Sequence, residues 1–148
     1  MAETDYHKTS SIEQCRIIEL NKHHHANGNL SVVENGISAP FDIKRVFYIY
    51  DVPGGEERGG HSHKELQQFI VAISGAFDVL LDDGVNKHTV TLNRPYQGLL
   101  VVPGIWSQQY NFSSGSVCLV LASDHYHEDD YVRDYDEFKR LTSTKNKK

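Results

Sequence analysis

The chain has 148 residues, of which 39% are hydrophobic and 24% are charged, and its formal net charge is −5 at pH 7. These values are typical of one soluble globular domain, and the length leaves little room for a second. The acidic balance argues against nucleic acid as a partner, because phosphate binding requires a basic surface. The one basic cluster, the terminal TKNKK, is predicted to be a solvated tail.

No stretch of the chain approaches the roughly 18 consecutive apolar residues that a membrane span requires. The first fourteen residues contain no apolar core, so we expect no secretory signal. The two cysteines, Cys15 and Cys118, are far apart in sequence and indicate neither a disulfide framework nor a thiolate metal site. These features predict a protein of the reducing cytoplasm without membrane contacts.

Short segments of β type follow one another along the chain, with Gly, Pro, Asn and Asp turns between them. Strands are predicted at 31–34, 44–52, 66–74, 76–82, 87–92, 98–103 and 116–123. This spacing predicts an all-β sandwich or barrel. The LDDG turn between the fourth and fifth segments is typical of a hairpin. We expect one domain over 1–148, with its core at about 30–128.

Only the C-terminal part of the chain has the periodicity of a helix. Tyr131, Tyr135, Phe138 and Leu141 recur at spacings of four, three and three residues, which makes one apolar stripe. Two aspartates at 129 and 130 suit the positive end of a helix dipole. A short helix over about 129–141 is therefore predicted to pack on the barrel.

A pair of histidines, His61 and His63, follows the glycine-rich stretch GGEERGG. On a strand, residues two apart point to the same face, so both imidazoles can enter one cavity. The alternative is a pair of exposed histidines on a polar face. The preceding glycines and the strongly β segment behind them favour a functional pair, placed where a loop enters a strand.

The spacing around this pair resembles the first cupin motif: a glycine at 55, His61, His63, then position 68, then a glycine at 75. The glutamate expected at 68 is Gln68. The segment VVPGIWSQQYN resembles the second cupin motif, but its expected histidine is Ser107. Amide and hydroxyl oxygens are weak ligands of a transition metal. We therefore expect no metal and predict that both histidines are free for proton transfer, although a two-histidine zinc site with another ligand stays an alternative.

From about position 30 to 141 the chain resembles the sugar 3,4-ketoisomerase cupins, which act on dTDP-4-keto-6-deoxyglucose. The resemblance is carried by KRVFYIYDV, RGGHSHKELQQFIVAISG, the LDDG hairpin, VVPGIWS and LVLASDHYHEDDYVRDYDEF. It implies a jelly-roll barrel, a homodimer without a metal, and His61 and His63 as catalytic acid/base residues. The implied product is a dTDP-3-keto-6-deoxyhexose for deoxyamino-sugar biosynthesis, as in lipopolysaccharide O-antigen. The C4 epimer, the nucleotide and the next enzyme stay open.

Other side chains are candidates for binding the sugar nucleotide. Arg58 is a candidate clamp for the diphosphate or a donor to the enediolate. Tyr48 and Tyr50 share one face of their strand and reach the sugar only if that face points inward. Trp106 is a further candidate, as a platform for the base, but a core or wall position is favoured for it. The remaining substrate-binding candidates are Gln68, Ser107 and Asn27. The last two replace larger basic residues found in many relatives, and both positions bear on which face of C4 receives a proton.

Two imidazoles suit this reaction, because a ketone moves from C4 to C3 through an enediol and protons move at both carbon and oxygen. Our hypothesis makes His63 the base at carbon and His61 its partner at oxygen, and the reverse stays open. Competing functions are a non-catalytic sugar-nucleotide-binding cupin and a metal-dependent cupin enzyme. The histidines at 23–25, 125 and 127 are predicted to lie on the solvated surface.

Overall fold

The computed structural model describes residues 5–145, and β-strands make up most of it. Two helices, α1 (Tyr6–Thr9) and α2 (Tyr135–Thr142), flank the strands. The strands are β1 (Arg16–Glu19), β2 (Lys22–His25), β3 (Gly28–Ser31), β4 (Arg45–Tyr50), β5 (Arg58–His63), β6 (Gln68–Ser74), β7 (Phe77–Asp82), β8 (Lys87–Leu92), β9 (Gln97–Val101), β10 (Trp106–Tyr110), β11 (Val117–Ala122) and β12 (Tyr131–Val132).

Two five-stranded sheets form the body of the fold. The first has the order β1-β9-β6-β11-β4 and the second the order β12-β5-β10-β7-β8. Every named pairing in both sheets is antiparallel. The hairpin of β2 and β3 pairs with neither sheet. The predicted all-β fold is therefore confirmed.

The main core lies between the inner faces of the two sheets. Along β4, for example, Phe47 and Ile49 pack into this core while Tyr48 and Tyr50 point out. This alternation follows from the period of two in a strand. The buried members of the core are Ile70, Ala72, Phe77, Val79, Leu81, Leu92, Leu99, Val101, Ile105, Cys118 and Val120.

A second layer covers the outer face of each sheet. Leu20 and Phe41 pack with Phe69 of β6 on the outside of the first sheet. On the second sheet, Phe138 of α2 packs on Trp106.

Six of the seven predicted strands correspond to observed strands, namely β4, β6, β7, β8, β9 and β11. The strand predicted at 31–34 is wrong, because β3 ends at Ser31. The histidines at 23–25, predicted to lie in a loop, form most of β2, and all three are exposed as expected. The sequence analysis did not predict α1 or β1.

The C-terminal helix begins later than predicted, at Tyr135 rather than near 129. Asp134 caps it by accepting a hydrogen bond from the backbone N–H of Asp136. The two aspartates predicted at its start lie instead in a 3-10 turn, Glu128–Asp130, which is followed by β12. Tyr131 therefore does not belong to the apolar face of the helix.

The predicted solvated tail is only partly described, because its last three residues lie outside 5–145. Lys145 is not free in solution: its Nζ donates to the backbone oxygens of Ser10 and Asp83, at 2.7 and 2.5 Å. No helix within residues 5–145 is long and apolar enough to cross a membrane.

Candidate active site

His61 and His63 lie near the end of β5, and their imidazole centroids are 4.9 Å apart. His61 pairs across the sheet with Ser107 of β10, which pairs in turn with the core residue Leu81. Directly paired residues of antiparallel strands point to the same face. The histidine pair therefore faces the space between the two sheets, at its open end.

A carboxylate holds the second histidine from behind. Nδ1 of His63 is 2.9 Å from Oδ2 of Asp130, and the Asp130 side chain also accepts the backbone N–H of Glu65 at 2.8 Å. Burial alone would raise the pKa of Asp130, but the hydrogen bonds from His63 and from Glu65 outweigh it and hold that pKa below its ordinary value. Because an ionised carboxylate only accepts, Nδ1 of His63 carries the proton and Nε2 is free to act as a base.

Gln68 and Ser107 complete the group of four residues at the cupin metal positions. The Gln68 amide nitrogen lies 3.4 Å from Nε2 of His63, a long contact for a hydrogen bond. Both side chains are buried, with exposed fractions of 4% for Gln68 and 2% for Ser107. The structure thus brings together the four residues that the two motifs placed at one site.

These four residues do not fit a transition metal. They offer two imidazoles, an amide and a hydroxyl, whereas the nearby carboxylate of Asp130 binds the far nitrogen of His63. Within residues 5–145, no three histidine, cysteine, aspartate or glutamate side chains are grouped so that they could hold a metal ion. We therefore derive no catalytic step from a metal.

His61 differs from its neighbour because no carboxylate supports it. Its Nδ1 is buried without a hydrogen-bond partner among the described residues. Burial, together with the neighbouring His63 imidazole and the positive charge of Arg133, lowers the pKa of His61 to about 4. The imidazole of His61 is therefore neutral at physiological pH.

Tyr131 packs against both histidines from the segment that follows the last long strand. Its ring centroid is 5.0 Å from that of His61 and 4.3 Å from that of His63. The guanidinium of Arg133 lies over this ring, 4.1 Å from its centroid, and forms two hydrogen bonds to Glu128, at 2.8 and 3.0 Å. An aromatic wall and an exposed ion pair thus border the histidine pair.

Arg45, at the start of β4, enters the same inner space. It pairs with Ala122, which pairs with Gln68, so these three residues form one row on the inner face. Nε and Nη2 of Arg45 are buried and have no hydrogen-bond partner among the described residues. The guanidinium lies between the rings of Phe47 and Tyr126, at 5.2 and 5.5 Å from their centres. Two buried guanidinium nitrogens without partners are costly, which marks Arg45 as a candidate ligand contact.

A cavity of about 950 Å³ borders part of this group, and His61, Gln68 and Ser107 are not among its lining residues. His63, Asp130, Tyr131 and Arg45 all line it. Its volume falls within the range of small-molecule sites, roughly 300–1,000 Å³. One space therefore contains a base held by a carboxylate and, on another wall, an unsatisfied cation.

Tyr48, Tyr50 and Arg58 lie elsewhere. The two tyrosines stack on the outer face of β4 with exposed fractions of 62% and 59%, so that face of the strand does not point inward. Arg58, at the exposed start of β5, lines a separate depression of about 490 Å³ together with both tyrosines. None of the three lines the histidine cavity.

Trp106 and Asn27 are also outside the cavity. Residues adjacent on a strand point to opposite faces, and Ser107 points inward. Its neighbour Trp106 therefore points outward, toward α2. The Trp106 ring lies 5.1 Å from that of Tyr135. Asn27 lies in the turn between β2 and β3, two strands whose residues are all exposed. His125 and His127 are exposed, as predicted.

Comparisons with known proteins agree with this geometry. Residues 13–143 match the model of a family described as FdtA: WxcM-like, C-terminal. The TDP-4-oxo-6-deoxy-alpha-D-glucose-3,4-oxoisomerase of Aneurinibacillus thermoaerophilus is 45% identical over 125 residues, which are 84% of this chain and 90% of that protein.

Two solved structures extend the comparison. A 3,4-ketoisomerase from Helicobacter canadensis is 42% identical with a TM-score of 0.84, over 86% of this chain and 96% of that one. A mutant of the 3,4-ketoisomerase QdtA from Thermoanaerobacterium thermosaccharolyticum, solved in complex with TDP-4-keto-6-deoxyglucose, is 36% identical with a TM-score of 0.85, over 87% and 94%.

The burial of His61 predicts that acid destabilises the protein. Its pKa is 6.5 in the unfolded chain and about 4 in the folded one, so between these values the unfolded chain binds more protons. The contribution of neutral, buried His61 to the stability of the folded chain is fully present above pH 6.5 and is lost as the pH falls toward 4. We expect the free energy of unfolding, measured with urea, to fall by about 1 to 2 kcal/mol from this group between pH 7 and pH 5.

Two variants test the assignment of this effect. His61→Gln does not titrate, so it is expected to lose less stability than wild type over the same pH range. His88→Gln, at an exposed position of β8, is expected to lose as much as wild type. Equal losses in wild type and His61→Gln would contradict the prediction.

Proposed function

Since the chain belongs to the family described as FdtA: WxcM-like, C-terminal, and is an isomerase of sugar nucleotides, we propose that it converts TDP-4-keto-6-deoxyglucose to a TDP-3-keto-6-deoxyhexose by histidine acid/base catalysis. The observation that carries the mechanism is the hydrogen bond from His63 Nδ1 to Asp130 beside a neutral His61. The similar QdtA protein was solved with TDP-4-keto-6-deoxyglucose, which supports this substrate.

His63 removes the proton from C3 of the sugar. That proton is acidified by the adjacent C4 carbonyl, and Nε2 of His63 accepts it as the C3–H bond breaks. The positive charge that forms on the imidazole is stabilised by Asp130, which already accepts the Nδ1 proton at 2.9 Å. The electron pair of the C3–H bond becomes the double bond of an enediolate, with negative charge on the C4 oxygen.

His61 acts at oxygen. A neutral imidazole donates a hydrogen bond to the developing oxyanion, and a low pKa keeps the ring in this neutral form. The Gln68 amide, 3.4 Å from Nε2 of His63, is placed to contribute a further donor. The C4 oxygen takes a proton, the C3 hydroxyl loses one, and His63 returns its proton to C4. The reaction moves two hydrogens from the C3 position to the C4 position of the sugar and needs no oxidant, reductant or metal.

Arg45 is proposed to bind the diphosphate of the substrate. In a pyranose ring C1 lies opposite C4, so the diphosphate leaves the sugar on the side away from the histidines. Arg45 is two strands from Gln68, about 10 Å across the sheet at the usual strand spacing. Its unpaired guanidinium nitrogens are those that a phosphate would satisfy.

The protein is proposed to work as a cytoplasmic homodimer. Val46, Tyr48 and Tyr50 project from the outer face of β4, an edge strand, with exposed fractions of 53, 62 and 59%. Large apolar side chains on an open sheet edge support pairing with a second copy.

The 3-keto product is an electrophile for amine transfer, which supports a role ahead of an aminotransferase in deoxyamino-sugar biosynthesis for lipopolysaccharide.

Incubation with TDP-4-keto-6-deoxyglucose in deuterated water tests the function directly. We expect NMR to show deuterium at C4 and a new 3-ketone, because the C3 proton passes through a histidine that exchanges with solvent. The coupling pattern at C4 gives the epimer. His63→Asn is expected to remove both exchange and product, and wild-type protein without exchange, or unchanged exchange in the variant, would refute the proposal.

Asp130→Asn tests the role of the carboxylate. The carbonyl of the new amide keeps the contact with the backbone N–H of Glu65, so the NH₂ group faces His63 and forces the imidazole proton onto Nε2. We expect kcat to fall by about 100-fold or more, since the base then carries a proton where it must accept one. Asp129→Asn, at the adjacent exposed position, is the matched control, and equal kcat in the two variants would contradict the assignment.

Arg45→Gln tests the phosphate contact. We expect KM to rise by about 10- to 100-fold with a smaller change in kcat, because a charge-assisted hydrogen bond far from the reacting carbons is lost. Arg94→Gln, on an exposed turn, is expected to leave KM unchanged. Steady-state kinetics give both constants, and an unchanged KM in Arg45→Gln would exclude this contact.

A further inference from the structure

The end of β5 that carries the two histidines has little support from its own sheet. On one side it pairs with β10, and the register of that pairing shifts between Ser107 and Gln108. On the other side it pairs only with the two residues of β12. A strand held this lightly needs other contacts if both imidazoles are to keep their positions.

One such contact comes from the face of β5 opposite to the one that carries His61 and His63. Ser62, between the two histidines, is fully buried, and its Oγ is 2.7 Å from Nε2 of His7 in α1. His7 is only 2% exposed and its ring packs edge-on against Phe138 of α2 at 5.9 Å. A buried hydrogen bond therefore joins α1 to the residue that separates the catalytic pair.

A second contact links α1 to the same strand through Gly104. The backbone N–H of Gly104 donates to the carbonyl of His63 at 2.7 Å. The α-carbon of Gly104 has φ +84, and a side chain there would collide with the backbone carbonyl of Tyr6. The backbone of α1 therefore packs directly on the residue that is hydrogen-bonded to His63.

We propose that His7 is a positioning residue of the isomerase: through Ser62 it fixes the segment of β5 that carries both imidazoles. This inference rests on the proposed function. It concerns a part of the chain that precedes the matched family region, which begins at residue 13. A shift at Ser62 moves His61 and His63 together, since each is one residue away.

The expected effect is on the chemical step. Proton transfer requires the base within hydrogen-bond reach of C3, and placement errors well under 1 Å impair it. The proposed phosphate contact at Arg45 lies on the other sheet and does not depend on β5. Loss of the His7–Ser62 hydrogen bond should therefore lower kcat and leave KM nearly unchanged.

Three variants isolate the hydrogen bond. His7→Phe keeps an aromatic ring against Phe138 but removes Nε2, and Ser62→Ala removes the other partner. Each is expected to lower kcat about tenfold with KM within twofold, and the double variant is expected to be no slower than the singles. His7→Gln, whose amide can again bond Ser62, is expected to recover most of kcat.

Lys8→Ala, an exposed position of the same helix, is the matched control, and urea unfolding shows that each variant is folded at the assay temperature. Unchanged kcat in both His7→Phe and Ser62→Ala would overturn the proposal. So would a double variant whose loss is the product of the single losses, because the two side chains would then act independently.

A second readout does not depend on activity. The Nδ1 proton that His63 shares with Asp130 is expected as a downfield proton NMR signal in wild type, and we expect it to shift or broaden in His7→Phe and Ser62→Ala. If wild type shows this signal but no isomerisation, the proposed function fails while the positioning role stands. If the signal is identical in all variants, the positioning role fails.

Discussion

The hydrogen bond between His63 and Asp130 is the interaction on which the rest of this site depends. It joins residues 67 positions apart, fixes which nitrogen of the imidazole is basic, and ties the last β-strand segment to the strand of the histidine pair. The carboxylate is itself held by a backbone amide, so the imidazole has a defined orientation. His61 lacks such a partner and stays neutral. The imidazoles of His61 and His63, which flank Ser62, thus differ in their protonation properties only because their surroundings differ.

The all-β fold and the histidine pair were predictable because they depend on local pattern. Apolar alternation and Gly or Asp turns reveal strands such as β7 and β8, and a spacing of two places His61 and His63 on one face. Gln68 and Ser107 were predictable from motif spacing, and the structure brings both beside the pair. The motifs cover one strand and the residues near it in sequence, so they could reveal only this part of the site.

Asp130, Tyr131 and Arg45 were not found from the sequence, because nothing local distinguishes them. Asp130 and Tyr131 fit a helix start equally well, and only the turn and short strand that precede α2 bring them to the histidines. Arg45 is one arginine among several until its burial without a partner is seen. Trp106 is a conspicuous residue beside Ser107, but it lies on the other face of its strand, in the kind of core position favoured for it from the sequence.

Residues 123–133 combine several duties in one short connection. Within it, Tyr126 covers the guanidinium of Arg45, Asp130 orients the base, Tyr131 forms the aromatic wall, and Arg133 lies over that wall. Each duty is fixed by its distance along the chain from β11. Variation in this family is therefore expected to act here by exchange of side chains and not by insertion or deletion, since a change of length by one residue would misplace all four at once.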